Sequence, residues 1–336
     1  MTAVLVTGGA GFIGANFVKS RILDRWDSRS VVVLDALTYA GNKSHLEEVE
    51  DRITFVQGDI ADLAVVRDVF DRYKIDQVVH FAAESHVDNS IADPGVFVRT
   101  NVVGTFVLLE TARAFWMAAP FQVRPEFKSA RFLHVSTDEV YGTLAESGTF
   151  TESSPLAPNS PYSATKAGSD LLVRSYFHTY GLNVVTTNCS NNYGPLQHDE
   201  KLIPTVIRSA LAGRSIPIYG SGENIRDWLY VGDHCDAIQR VLDRGVAGQT
   251  YLIGSRNEWT NNRIVRAICE ILDQRVPRDD GQSYAAQMTY VADRPGHDLR
   301  YAIDPSKIES ELNWKAPTSF ADGLQQTVDW YIRRYR

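Results

Sequence analysis

Tyr162-Ser163-Ala164-Thr165-Lys166 sets a phenol and an ammonium four residues apart. With Pro161 just ahead as a helix start, that spacing puts both groups on one helical face. A tyrosine with a pKa of about 10 is a poor base at neutral pH, and a nearby cation such as Lys166 favours its phenolate. Alone, the spacing is commonplace and equally describes a solvated helix pair. A second constellation narrows the choice: Val135-Ser136-Thr137-Asp138-Glu139-Val140-Tyr141-Gly142 ends an apolar run with a hydroxyl and two carboxylates. Carboxylates at the mouth of a parallel sheet stand where ligands meet such a fold, two solvated turn residues being the plain alternative. One phenol and two carboxylates are what removal of water next to a transient ketone requires. Oxidising a sugar C4 hydroxyl acidifies the C5 proton; one carboxylate takes that proton while a carboxylic acid protonates the departing C6 hydroxyl. Tyr162, Glu139 and Asp138 supply the three groups in that order, and Thr137 would hold the C4 oxygen. Asp138 works as an acid only if its pKa lies well above the free value, which a dry pocket and a second carboxylate promote.

Such an oxidation needs a hydride acceptor that later returns hydride to C6, and the N-terminus offers a place for one. Thr7-Gly8-Gly9-Ala10-Gly11-Phe12-Ile13-Gly14 follows an apolar run and opens an amphipathic one. Side chains at Gly8 or Gly11 would hinder a tight turn and the approach of a pyrophosphate to backbone N–H groups, and Gly14 lets helix and strand pack closely. Phe12 and Ile13 lie within the same loop-to-helix segment. Asp35 ends the second apolar run, about 20 residues on, where a carboxylate accepts hydrogen bonds from both ribose hydroxyls and repels a 2′-phosphate. The cofactor expected is NAD rather than NADP.

The elements that must position these groups alternate. Short Val- and Ile-rich runs over 4–6, 31–34, 53–56, 77–81, 131–135 and 183–187 read as strands covered on both faces, with helices over 13–25, 63–73, 96–114 and 161–180 between them. The pattern predicts an α/β fold, a Rossmann-type doubly wound parallel sheet with a smaller C-terminal α/β substrate-binding lobe. Residues 1–188 are expected to form the NAD-binding domain, with later segments returning to it, and 189–336 mainly the second lobe. Composition is that of a globular chain, 44% hydrophobic and 22% charged over 336 residues. A formal net charge of -7 leaves no basic excess for nucleic acid or anionic lipid. Cys189, Cys235 and Cys269 show neither a CxxC pair nor metal-ligand spacing, so neither a disulfide framework nor a metal site is expected. No uninterrupted apolar stretch reads as approaching the roughly 20 residues of a membrane span. The N-terminus lacks a basic region, and the expected location is cytoplasmic.

With a glycine fingerprint upstream and Thr137 at a strand end, the Tyr162/Lys166 pair resembles that of the short-chain dehydrogenases/reductases. Four longer strings carry the resemblance further: Phe81-Ala82-Ala83-Glu84-Ser85-His86-Val87-Asp88, Ser136-Thr137-Asp138-Glu139-Val140-Tyr141-Gly142, Asn188-Cys189-Ser190-Asn191-Asn192-Tyr193-Gly194-Pro195 and Asp293-Arg294-Pro295-Gly296-His297-Asp298. Together they are similar to the dTDP-glucose 4,6-dehydratase family, from the first strand to about Trp330. The resemblance implies tightly held NAD, a thymidine diphosphate sugar as substrate, and a homodimer joined by helices near 96–116 and 162–180. It places Asp59 and Ile60 near the adenine and Ala82 and Ala83 along the cofactor. On the substrate side it places Ser85, His86, Asn192, Glu200, Lys201, Leu202, Pro217, Tyr219, Arg226, Asn261, Arg294, His297 and Tyr301. Arg226 and Arg294 can grip a diphosphate and Tyr219 can stack on a pyrimidine. Asn89 and Asp199 depart from the family's usual Arg and Pro, near segments that line the substrate side. Related 4-epimerases carry small neutral residues where Asp138 and Glu139 stand, because returning hydride to the same carbon requires no further acid or base. A 4-epimerase and a catalytically idle NAD-binding protein are the competing readings, and the sequence leaves thymine and uracil equally acceptable.

Overall fold

The computed structural model describes residues 2–24, 29–293 and 298–336. Seven parallel strands form the main sheet: β1 (Ala3–Thr7), β2 (Ser30–Asp35), β3 (Ile53–Gln57), β4 (Ile75–His80), β5 (Arg131–Thr137), β6 (Val184–Cys189) and β7 (Thr250–Ile253). Their order is β7-β6-β5-β4-β1-β2-β3. The chain runs outward from β1 to β3 and then crosses back to β4, so a crevice opens between β1 and β4 where the order reverses. Strand alternation sends Val4, Val6, Val31 and Val33 to one face, against Phe17, Val18, Ile238 and Val241. Leu5, Val32 and Leu34 face the other way, against Phe70, Leu108, Trp116 and Val173. Both faces are dry, which is why these runs carry so few polar residues.

Two differences from the sequence reading matter. β5 runs two residues past the expected end because β6 continues beside it: Ser136 pairs with Asn188 and Thr137 with Cys189. Thr137 is thereby the last ladder residue, and the chain turns at once into a 3-10 turn, Asp138–Tyr141. The single helix expected over 96–114 is instead a helix Pro94–Phe97, a π-helical segment Val98–Gly104 and a helix Thr105–Trp116. The π segment includes the buried Asn101, a common association of such bulges with functional groups. By length and composition alone the run Pro94–Trp116 is long and apolar enough to cross a membrane, although Arg99, Asn101, Glu110 and Arg113 interrupt it and no uninterrupted apolar stretch is read there. Half of it is buried inside the fold, so it is a core helix here.

β7 escaped the sequence reading, being only four residues long. It joins the main sheet beside β6, and the helix Val231–Arg244 packs on the helix Phe12–Leu23 through Cys235, Ile238 and Val241. Arg21 reinforces that contact, donating to Gln239 Oε1 at 2.7 Å. The helix Ser306–Leu312 also packs on the main-sheet core, through Ile308 and Leu312, whereas helices Leu202–Leu211, Asn261–Arg275 and Phe320–Tyr335 enclose a separate core of Ile203, Ile207, Ile216, Trp228, Ile268 and Val328. That lobe faces the C-terminal ends of the main strands.

Candidate active site

A cleft of about 520 Å³ runs along those strand ends. Its cofactor half begins at the first turn. Gly8 has φ +69°, and a Cβ there would lie 2.6 Å from Ala82 N. A Cβ on Gly14 would lie 2.2 Å from Gly8 O, so only glycine lets the helix Phe12–Leu23 approach the turn. Gly11 differs, since an added Cβ meets nothing nearer than Gly8 O at 3.3 Å. Its bareness serves the cleft rather than the fold, leaving backbone free to meet a ligand at a helix N-terminus. Asp35 is fixed at the end of β2, accepting from Ala10 N at 2.9 Å and Leu37 N at 2.8 Å. A carboxylate has about four acceptor sites, so these bonds leave capacity for hydroxyls. Burial raises its pKa, and the two amides oppose that. Phe12, Ile13, Asp59, Ile60, Ala82 and Ala83 also line the cleft. Asp59 accepts from Ala61 N at 2.8 Å and pairs with Arg99 at 2.7 Å.

Thr137, Asp138, Glu139, Tyr162 and Lys166 line the other half together. The helix Pro161–Tyr180 that carries two of them is closed at both ends. Ser160 and Ser163 form a capping box and Gly181 takes the left-handed C-terminal position at φ +72°. Lys166 Nζ donates to Val135 O at 2.8 Å, and burial draws its pKa down to about 8. Thr137 lies beside the Tyr162 phenol and favours its ionised form. Sequence reasoning expected the lysine to favour a phenolate, but burial and then the Glu139 carboxylate push this phenol well above its ordinary value. Thr137 Oγ1 also lies 3.4 Å from Asp138 Oδ1. Asp138 is 1% exposed, and its Oδ2 is buried with no hydrogen-bond partner among the described residues. Burial first, then the charges of Glu139 and Asp227, hold its carboxyl well above the usual carboxylate range, the state a general acid requires.

On the substrate side Ser85, Asn192, Glu200 and Lys201 line the cleft. Lys201 Nζ donates to Ser85 O at 3.2 Å, and His86 Nε2 stands 3.9 Å from Glu200. Arg226 lies near Asp138, which feels its positive charge, and its guanidinium is 4.3 Å from the Tyr301 ring centroid. Its fork already donates to the carbonyls of Ile225, Asp298 and Leu299. Leu202, Pro217, Tyr219 and Asn261 lie outside the cleft lining. Leu202 and Asn261 begin helices, Pro217 and Tyr219 share the strand Ile216–Tyr219, and the Tyr219 ring is exposed. Arg294 and His297 lie outside the described residues. Asp199 is occupied by the C-terminal helix: it accepts from Tyr335 OH at 2.5 Å and stands 3.8 Å from Arg208. Asn89 is exposed on the short helix Val87–Ala92.

Several groups at the site had no usable sequence signal. Arg99, Thr38, Gln197 and His198 join the lining from loops or from the π segment. Asn101 exchanges hydrogen bonds with the backbone of Glu84 at both N and O and donates to Thr165 Oγ1 at 2.9 Å, binding the loop after β4 to the helix Pro161–Tyr180. A lone asparagine within an apolar run was the one available hint.

The family described as GDP-mannose 4,6 dehydratase matches residues 5–327. The dTDP-glucose 4,6-dehydratase of Xanthomonas campestris pv. campestris (strain B100) is 57% identical over 337 residues, covering 99% of this chain and 93% of that protein. The dTDP-glucose 4,6-dehydratase 1 of Escherichia coli (strain K12) is 51% identical over 340 residues, with 98% and 92% covered. Among solved structures, the dTDP-glucose 4,6-dehydratase DesIV of Streptomyces venezuelae, crystallised with NAD, superposes with a TM-score of 0.88 at 47% identity, covering 99% of this chain and 97% of that one. The UDP-glucose 4-epimerase of Thermotoga maritima superposes nearly as well, TM-score 0.87 with 100% of both chains covered, at 26% identity. Backbone shape therefore does not separate the two chemistries, and the side chains at the strand ends must.

Proposed function

The chain belongs to the dTDP-glucose 4,6-dehydratase family, and from that premise we propose that it converts dTDP-glucose to dTDP-4-keto-6-deoxyglucose and water as a hydro-lyase. The observation that carries this reading is the buried Asp138 with the half-buried Glu139 beside it in the cleft with Tyr162, burial holding the Asp138 carboxyl well above the usual carboxylate range. A 4-epimerase has no use for that pair.

The cofactor is NAD, and the residues fit it: the Gly8/Gly11/Gly14 turn leaves a bare cradle at a helix N-terminus, and Asp35 stands at the end of the neighbouring strand. When bound, NAD supplies the acceptor for hydride from C4 and the donor of hydride to C6. Tyr162 takes the proton of the C4 hydroxyl while Thr137 holds that oxygen. Lys166, one helical turn along, places a positive charge beside them. Glu139 removes the C5 proton made acidic by the ketone, and Asp138 gives its proton to the C6 oxygen, which leaves as water. Glu139 then returns its proton to C5. At the end Tyr162 holds one proton more and Asp138 one fewer, so resetting the site moves one proton between them. The Thr137 hydroxyl, in contact with both, lies on the path such a transfer would take.

Ser85, Asn192, Glu200 and Lys201 face the hexose and diphosphate in this reading, and Pro217, Tyr219, Asn261 and Arg226 the nucleotide beyond them. A homodimer joined through Pro94–Trp116 and Pro161–Tyr180 is supported by the exposed Val96, Val98, Val103, Phe106 and Leu171 on those helices. A cytoplasmic setting agrees with the three buried, unpaired cysteines. The test is incubation with dTDP-glucose and UDP-glucose side by side, following product mass. Loss of 18 mass units, the mass of one water, from dTDP-glucose is the expected result, and a product of unchanged mass epimerised at C4 would overturn the assignment.

A further inference from the structure

Asp170 takes no part in the steps above, yet it ties together the elements that carry them. It stands four residues beyond Lys166 on the helix Pro161–Tyr180, a spacing that places two side chains on one face. Its side chain is 11% exposed. Oδ1 lies 3.1 Å from His134 Nε2 on β5. Oδ2 accepts from Asn188 Nδ2 on β6 at 3.0 Å, and the same amide donates to Thr137 O at 3.1 Å. A carboxylate on the helix Pro161–Tyr180 thus holds the adjacent strands β5 and β6 at the level of the proposed acid/base groups.

Lys166 is 4% exposed, and its hydrogen bond to Val135 O is to a neutral group. A buried ammonium without a counter-charge gives up its proton. The groups whose charges couple to it are His80 from β4, His134 from β5, Cys189 from β6, and Asp170 from its own helix, on which Tyr162 stands one turn earlier. Burial keeps His80 well below its ordinary pKa and brings His134 down to about 4, so both are neutral. Burial also raises the Cys189 thiol and the Tyr162 phenol, which carry no charge at neutral pH before substrate and cofactor act. Asp170 is the first of the influences that oppose the loss of the Lys166 proton.

We propose that Asp170 is a positioning residue, the buried counter-charge that keeps Lys166 an ammonium and, through Asn188, fixes the strand end that carries Thr137. The assignment rests on the reading of Tyr162 and Lys166 as the alcohol base and its cation. Burial already brings Lys166 to about 8, so removal of the nearby anion moves its titration further down, toward the neutral range.

The test is a direct titration of Lys166 in NAD-loaded protein carrying 13C-labelled lysine, the Lys166 Cε resonance being identified by its loss in Lys166→Met. In Asp170→Asn, which keeps the size and most hydrogen bonds, the midpoint falls by about one pH unit or more. Asp170→Glu restores it, and Asp170→Ser repeats the loss of charge without the amide's added donors. The alkaline limb of NAD reduction in a single turnover moves down with the midpoint. An unmoved midpoint in both uncharged variants, or an equal loss of rate at every pH with the limb in place, overturns the proposal. Failure of the wild type to reduce bound NAD with dTDP-glucose would refute the functional reading instead, and the lysine titration would still decide the role of Asp170.

Discussion

The ammonium of Lys166 is bonded to the carbonyl of Val135 at 2.8 Å, so the catalytic helix is pinned to the strand whose end carries Thr137, Asp138 and Glu139. Proton-transfer groups from two elements thereby share one frame. The same contact places the ammonium against β5, while burial and Glu139 hold the neighbouring Tyr162 phenol above its ordinary pKa. In the proposed mechanism, Tyr162 would become a base once the positive charge of the cofactor stands beside it.

That sequence of events is testable in the ultraviolet. The Tyr162 signal, isolated by difference from Tyr162→Phe, is expected to titrate above the ordinary tyrosine range in NAD-free protein and at lower pH in NAD-loaded protein. Tyr162→Phe should slow the first hydride transfer by about 10²-fold or more, the usual weight of a positioned base. Unimpaired reduction of bound NAD in that variant would remove Tyr162 from the role.

The glycines of the first turn should separate fold from ligand. Gly8→Ala collides with the backbone of Ala82 and strains a positive φ, so it is expected to lower both stability and NAD content. Gly11→Ala meets Gly8 O at 3.3 Å, a contact relieved by a shift of a few tenths of an ångström, so it should cost less stability than Gly8→Ala and still lose NAD. Equal NAD occupancy in Gly11→Ala and wild type, measured by extraction and absorbance, would show that the cofactor does not approach that backbone.

Much of this was legible in the sequence because it is written in local pattern. Val31 to Leu34 could only be a doubly covered strand, and Ser160, Pro161 and Gly181 mark the ends of the catalytic helix with residues whose capping chemistry is local. The shift in Asp138 was legible too, since two adjacent carboxylates at a dry strand end must push one another toward protonation. Groups whose meaning depends on distant neighbours stayed hidden. Asp170 reads as one more acid on a helix until β5 and β6 bring His134 and Asn188 to it. Asn101 reads as a defect in an apolar helix until the π segment and the loop after β4 receive it. β7 is four residues long and is a strand because β6 is already there.

The exposed apolar face of the two helices gives a third test. Phe106 is 46% and Leu171 55% exposed, side chains that a dimer would cover. Phe106→Asp with Leu171→Asp would bury two carboxylates in that contact, and the expected product is a folded monomer by light scattering at micromolar concentration. A dimer of unchanged affinity would place the interface elsewhere.

Asp138 provides the sharpest test, because its two consequences have opposite signs. Its pKa is raised in the folded state, so between the unfolded and folded values the native protein binds a proton that the unfolded chain has released, and stability falls as pH rises through that window. At neutral pH the group costs stability and supplies an acid. Asp138→Asn keeps the shape and removes the ionisation, so it should raise stability at pH 7 by ~1–2 kcal/mol, with the gain shrinking toward pH 4. The same variant should still reduce bound NAD with dTDP-glucose while eliminating water at least ~10²-fold more slowly, so that the reduced cofactor accumulates at 340 nm. Glu139→Gln should also stall at elimination, but its stability change need not follow that pH dependence. Wild-type elimination in Asp138→Asn would mean that the proton for the departing hydroxyl comes from another group, and the buried carboxyl would have to be explained as structure alone.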